Sequence, residues 1–173
     1  MKRRIAVGLL GASTILVLAA GLISISTLPA HAQTTTHLAL SSGDGAPGAS
    51  GMIELMLSDN VLQGVAQGKD LPAQAFGSGR FYGVWFVRTD TGDKAFLGAL
   101  IAHRSIILSG GGEGNMRFAA SHFTTGPDAG SRITFGSPGS NLVVVLIENK
   151  INGLTPSPVG PVPGTGLALT GTF

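Results

Sequence analysis

The chain contains no cysteine. That absence excludes a disulfide framework, a cysteine zinc site, a thiol nucleophile and a lipid-modified N-terminal cysteine. Large aromatics are scarce, with one Trp and one Tyr among 173 residues. A stacking platform for sugars or single-stranded nucleic acid needs such rings exposed, and Trp85 and Tyr82 read better as core. No Asn opens an Asn-x-Ser/Thr sequon, and no Ser stands in a Gly-x-Ser-x-Gly elbow, so the marks of N-glycosylation and of acyl transfer are both missing. Basic residues are also few once the N-terminus is set aside. Without Lys2, Arg3 and Arg4, eight basic residues face nine acidic ones, a net charge of −1 with no basic run. The positive balance of the whole chain therefore belongs to its first residues and does not argue for nucleic acid.

What is present begins with a targeting segment. Lys2-Arg3-Arg4 precedes an apolar run from Ile5 to about Leu28, Pro29 stops any helix, and Ala30-His31-Ala32 fits a signal-peptidase site. We read residues 1–32 as a signal helix cleaved after Ala32. The competing reading is an uncleaved anchor, because residues 5–28 are long enough to span a bilayer and would tie the protein to the membrane. Either way the expectation is an extracytoplasmic, secreted or envelope-associated protein. The 141 residues from Gln33 to Phe173 are enough for one core without crosslinks, since a chain of that size buries about two-thirds of its surface on folding.

The centre of this part is Arg80–Ile101, RFYGVWFVRTDTGDKAFLGALI. Arg80–Arg88 is rich in aromatic and β-branched residues, Thr89–Asp93 is turn chemistry, and Lys94–Ile101 is a return strand. Phe81, Trp85 and Val87 share one face of the first strand with Gly83, while Tyr82, Val84, Phe86 and Arg88 share the other. Both faces are apolar, which predicts a strand covered on both sides. Gly83 and Gly98 suggest places where a neighbouring ring lies over bare backbone. Around this hairpin the sequence predicts strands at about Thr36–Ser41, Met52–Ser58, Val61–Gln67, Met116–Phe123, Arg132–Gly136, Leu142–Glu148 and Leu167–Phe173. Ala102–Ser109 either prolongs the return strand or forms a further one. Asp59-Asn60 reads as a turn, Gly68–Gly79 as a linking loop and Gly110–Gly114 as a flexible loop. Residues 152–166 are too rich in Pro and Gly for regular structure. Gly43-x-Gly45-x-x-Gly48 formally matches the dinucleotide fingerprint, but no helix pattern follows to receive a pyrophosphate. Eight to ten short strands with no helix after the signal predict an all-β fold. We expect an antiparallel β-sandwich over residues 51–173, preceded by a strand and loop at 33–50, with a closed barrel as the alternative.

These pieces, in this order, resemble the extracytoplasmic domain of anti-sigma-K factors. The residues that carry the likeness are Leu71-Pro72, Tyr82-Gly83-Val84-Trp85-Phe86-Val87, Leu97-Gly98, Leu142–Glu148, Thr155–Pro161 and Leu167–Gly171. The resemblance implies an outside sensing or binding domain. It does not imply sigma-factor binding, because only Met1–Arg4 precede the apolar run, where that family places its cytoplasmic helical domain.

Chemistry-bearing residues form no constellation in the sequence. His37, His103 and His122 lie far apart, without metal-ligand spacing. Asp90 and Asp93 flank a turn glycine, where carboxylates serve turn geometry more often than calcium. The expectation is a non-enzymatic binding, sensing or envelope module, with no catalytic, metal or cofactor site and with an unidentified protein or envelope ligand as partner. A structural or adhesive surface protein acting through self-association is the alternative. An enzyme would have to gather two or more of Asp90, Asp93, His103, His122 and Glu148 in one cleft. A binding module would show a concave patch with convergent polar groups, and a self-associating protein an exposed apolar patch or free strand edge.

Overall fold

The computed structural model describes residues 34–72, 80–102, 111–149 and 166–173. Residues 1–32, expected as a signal segment, and also His103, the strand candidate beyond Ala102 and nearly all of the Pro/Gly-rich stretch lie outside the described residues.

Eight strands are present among those residues: β1 (Thr34–Ser42), β2 (Ser50–Ser58), β3 (Val61–Pro72), β4 (Arg80–Arg88), β5 (Lys94–Ala102), β6 (Gly111–Ala120), β7 (Asn141–Asn149) and β8 (Leu167–Thr172). All pairings between them are antiparallel. The order around the fold is β1-β2-β3-β6-β5-β4-β7-β8, closed into a barrel. β4, β5 and β6 run consecutively, and β7 returns to lie beside β4, which is a Greek key.

The expected sandwich is therefore corrected to a closed barrel. The strands divide into two four-stranded halves, β1-β2-β3-β6 and β5-β4-β7-β8, which would be the two sheets of a sandwich. They join along two short seams, Ser41 and Ser42 with Thr170 and Leu169, and Ile101 and Ala102 with Asn115 and Gly114. Inward and outward residues alternate identically in both architectures, so the sequence pattern does not separate them; the seams do. The glycine fingerprint has its physical use at the first seam. The amides of Gly43 and Gly45 donate to the carbonyls of Ala168 and Leu167 at 2.8 and 2.7 Å. A Cβ at Gly43 would lie 2.5 Å from the Leu167 carbonyl oxygen, so a side chain there would push the loop off β8.

Other boundaries also move. β3 runs on to Pro72 through a bulge between Gly68 and Leu71, with Asp70 at φ 56°. Gly111–Gly114, expected as a loop, is instead the start of β6, because pairing with Pro72, Leu71 and Gly68 overrides weak strand propensity. Arg132–Gly136, expected as a strand, makes only one bridge, from Arg132 to His122. The Asp59-Asn60 turn holds: both residues are left-handed, at φ 50° and 61°, and join Ser58 to Val61 in a two-residue hairpin.

The interior is filled by the inward faces, including Ile53, Leu55, Leu62, Leu71, Tyr82, Val84, Phe86, Val143, Val145 and Leu169, all buried. Each such side chain contributes about 1.5–3 kcal/mol. The segment after β6 folds over one end and inserts Phe123 and Ile133 into this core. Phe86 stacks on Phe123 with centroids 6.3 Å apart, and Phe135 meets Phe173 edge-on at 5.3 Å. β4 lies between β5 and β7 and is covered on both faces, as its sequence predicts. Its outward residues Phe81 and Trp85 are buried, and Trp85 packs with Val144 and Leu146 in a second cluster outside the barrel.

Candidate functional site

The β4–β5 turn gathers Asp90 and Asp93, but each already has protein partners. Arg88 holds Asp90 through two bonds, Nε to Oδ1 at 3.1 Å and Nη2 to Oδ2 at 2.7 Å. That guanidinium pulls the Asp90 carboxyl below its ordinary value. Asp93 is fully buried; its Oδ1 accepts from the Asp128 amide at 2.7 Å and its Oδ2 from the Thr91 hydroxyl at 2.5 Å. Asp93 thus pins the 121–131 segment to the turn, which is the turn-geometry reading with a long-range contact added. His122 is exposed, and its Nδ1 lies 2.7 Å from the Ser121 hydroxyl. His37 stands on β1, 4.0 Å from Glu54. Glu148 is on β7, on the outward face with Phe81 and Trp85. Among the described residues no three His, Asp or Glu side chains come together in a group fit to hold a metal ion.

The concavity with convergent polar groups lies where the sequence reading named no site, on the outer face of the β1-β2-β3-β6 half. The strand register sets it up. One row across the sheet reads His37, Glu54, Val65 and Arg117; the next reads Ala39, Met52, Gln67 and Asn115. Val65 is the one short side chain between Glu54 and Arg117, so the rows leave a hollow. It forms a trough of about 380 Å³ lined by Met52, Glu54, Val65, Gln67, Asn115, Met116 and Arg117. Two smaller hollows of about 140 and 180 Å³ share Gln67 with it and extend it toward Lys69, Glu113 and Ser50.

Among the described residues the side chains of Gln67, Asn115 and Arg117 make no hydrogen bond or ion pair, and Glu54 meets only His37 at 4.0 Å, with both groups more than half exposed. Glu54 offers acceptors, Arg117 offers donors, and the two amides offer both. With neighbouring strands about 4.8 Å apart, the Glu54 and Arg117 backbones stand about 10 Å apart across β3. The trough thus presents donors, acceptors and one charge of each sign. Single-sequence reading missed it because its residues come from three separate strands with no motif spacing. Outward polar positions on β2, β3 and β6 were the only signal, and every half-exposed sheet carries that signal.

A second polar feature lies on the other half. The Trp85 indole Nε1–H donates to Glu148 Oε1 at 2.9 Å. Glu148 Oε2 is buried and has no hydrogen-bond partner among the described residues. The carboxyl lies over Gly83, where a Cβ would stand 2.5 Å from Oε2. The expected ring over Gly83 is thus mainly a carboxyl group, with Phe81 beside it; over Gly98 it is the methyl group of Met116. Burial pushes the Glu148 carboxyl above its ordinary value, and the indole bond only partly opposes this.

No known protein family, curated protein or solved structure matches this chain.

Proposed function

We propose that this protein is an exported, non-enzymatic binding module of the cell envelope that takes an extended polar peptide along the trough of the β1-β2-β3-β6 half. The observation that carries the proposal is the set Glu54, Gln67, Asn115 and Arg117 around one trough, with opposite charges on its two sides, the last three without a side-chain partner among the described residues and Glu54 touched only by His37 at 4.0 Å. A bound peptide would offer backbone donors and acceptors to the two amides, a cation to Glu54 and a carboxylate to Arg117. Export is supported by Lys2-Arg3-Arg4, the apolar run to Leu28 and Ala30-His31-Ala32. The resemblance to the outer domain of anti-sigma-K factors supports a sensing role in the envelope. The residues that carry it include Tyr82–Val87, Leu97-Gly98, Leu142–Glu148 and Leu167–Gly171, which stand on the adjacent strands β4, β5, β7 and β8.

Self-association is the second reading. Each described strand has a neighbour on both sides, but the two seams pair only two residues each, which leaves Thr34–Leu40 of β1 and Met116–Ala120 of β6 without a strand partner on the seam side. The large exposed hydrophobics among the described residues, Met52 and Ile101, stand singly on β2 and β5.

The test is amide chemical-shift mapping with a panel of short peptides bearing one acidic and one basic residue, and with neutral glycan oligomers as comparison. The expected result is saturable shifts at Met52, Glu54, Val65, Gln67, Asn115 and Arg117 with a peptide, lost in Glu54→Ala/Arg117→Ala. Shifts at the trough with glycans alone, or peptide binding that survives the double variant, would overturn the proposal.

A further inference from the structure

The Glu148–Trp85 pair has no part in the trough, and its arrangement is costly unless it does something. A carboxyl group bonds to Trp85 of the apolar Trp85, Val144 and Leu146 cluster and lies over Gly83 beside Phe81, with one oxygen bonded and the other buried without a partner among the described residues. An ionised carboxylate with an unmatched buried oxygen is penalised by desolvation, and the neutral acid much less so. Gly83 makes the position possible, since any side chain there would expel the group. Charged neighbours do not compensate. On β4 the nearest in register is Arg80, exposed and paired across to Asn149; on β5 it is Lys94, opposite Val87 at the far end of the face; β8 contributes Leu167 and the uncharged Thr170 and Thr172. Among the described residues the influences on the Glu148 carboxyl are burial, which raises its value, and the indole bond, which lowers it.

We propose that Glu148 and Trp85 form a proton-operated latch: the neutral carboxyl stays seated over Gly83 and bonded to the indole, and the ionised carboxylate swings out to water, freeing the indole and loosening the end of β7. Glu148 and Asn149 pair with Phe81 and Arg80, the last residues of β7 against the first of β4, so the swing disturbs a strand end and not the barrel interior. The protein is then packed most tightly in acidic surroundings. The sign follows from linkage. The folded chain holds this proton more firmly than the unfolded chain. The stabilisation is therefore complete below the ordinary carboxyl range and is lost as pH rises through the folded-state value.

The chain has a single tryptophan, so its emission reports on this site alone. The experiment titrates Trp85 fluorescence and urea stability of the full chain from acid to neutral pH, in the wild type and in Glu148→Gln, and follows the Glu148 side-chain carboxyl directly by carbon NMR in the wild type. We expect an emission change in the wild type with a midpoint above the ordinary Glu value of about 4.3, the same midpoint in the carboxyl resonance, and no such change in Glu148→Gln. The folding constant of the variant should gain on the wild type by up to about tenfold per pH unit through the transition. An ordinary midpoint in the carboxyl resonance overturns the latch even if the variant fails to fold. So does an unaltered emission transition in Glu148→Gln.

Discussion

Asp93 offers the sharpest test of how the turn and the end cap are joined. The perturbation is Asp93→Ala against Asp93→Asn. Asp93 is wholly buried and bonds the Asp128 amide at 2.7 Å and the Thr91 hydroxyl at 2.5 Å. Alanine removes both bonds. The Thr91 hydroxyl is half-exposed and can turn to water, but the Asp128 amide loses an acceptor in a partly buried place. A hydrogen bond to a charged group contributes about 1.5–3 kcal/mol, and an unmatched buried donor costs about 1–3 kcal/mol. Allowing for water at the vacated site, the loss should be about 3 kcal/mol, or roughly 10 °C in Tm for a domain of this size. Asparagine keeps an oxygen for the Asp128 amide and offers its NH2 to Thr91, whose hydroxyl then accepts. Its cost should be about 1 kcal/mol. The assay is urea unfolding followed by Trp85 emission, with calorimetry for Tm. Equal losses in the two variants would refute the hydrogen-bond account. A rise in Tm on adding calcium, abolished by Asp93→Asn, would refute it differently, by making the turn a metal site.

Two further predictions rest on single residues. Tyr82 donates its hydroxyl to the Pro72 carbonyl at 2.8 Å, and burial pushes its phenol from 10.0 up to about 12. Its stabilising contribution is whole below the unfolded value and is lost as pH rises to the folded one. Tyrosinate absorbance reads this residue alone, and ionisation near 10 in the folded protein would contradict its burial. Gly98 sits at φ 140° in the β5 bulge, with the Met116 methyl 2.7 Å from where a Cβ would stand. Gly98→Ala should cost about 1–3 kcal/mol, and an unchanged urea midpoint would show that the bulge tolerates a side chain.

Much of the fold is legible because strand formation here is local. The β4–β5 hairpin, the Asp59-Asn60 turn and the apolar run of β7 each announce themselves within a few residues, through β-branched and aromatic content bounded by turn chemistry. The double coverage of β4 is also local: Phe81, Trp85 and Val87 are as apolar as Tyr82, Val84 and Phe86. Failures fall where a partner strand decides. Gly111–Gly114 has poor strand propensity and becomes β6 only because Pro72, Leu71 and Gly68 lie opposite it. Arg132–Gly136 reads as a strand but finds a single bridge partner.

The candidate site was less legible than the fold. Glu54, Val65 and Arg117 are ordinary outward residues until the register of β2, β3 and β6 sets them side by side. Glu148 stood in the sequence as one of five candidates for an enzyme cleft, and its burial against Trp85 depends on a residue 63 positions away.

An antiparallel all-β chain with a hairpin of large residues at its centre follows from local sequence alone, because alternation and turn chemistry are properties of neighbouring residues. Closure into a barrel comes from the packed fold, through seams at Ser41–Ser42 and Ile101–Ala102. The same packing set four polar side chains around one trough and an unmatched carboxyl oxygen over Gly83. Those outcomes depend on which strand lies beside which. Pairing over long stretches of chain is settled by the whole set of packing contacts, and no segment carries that information alone.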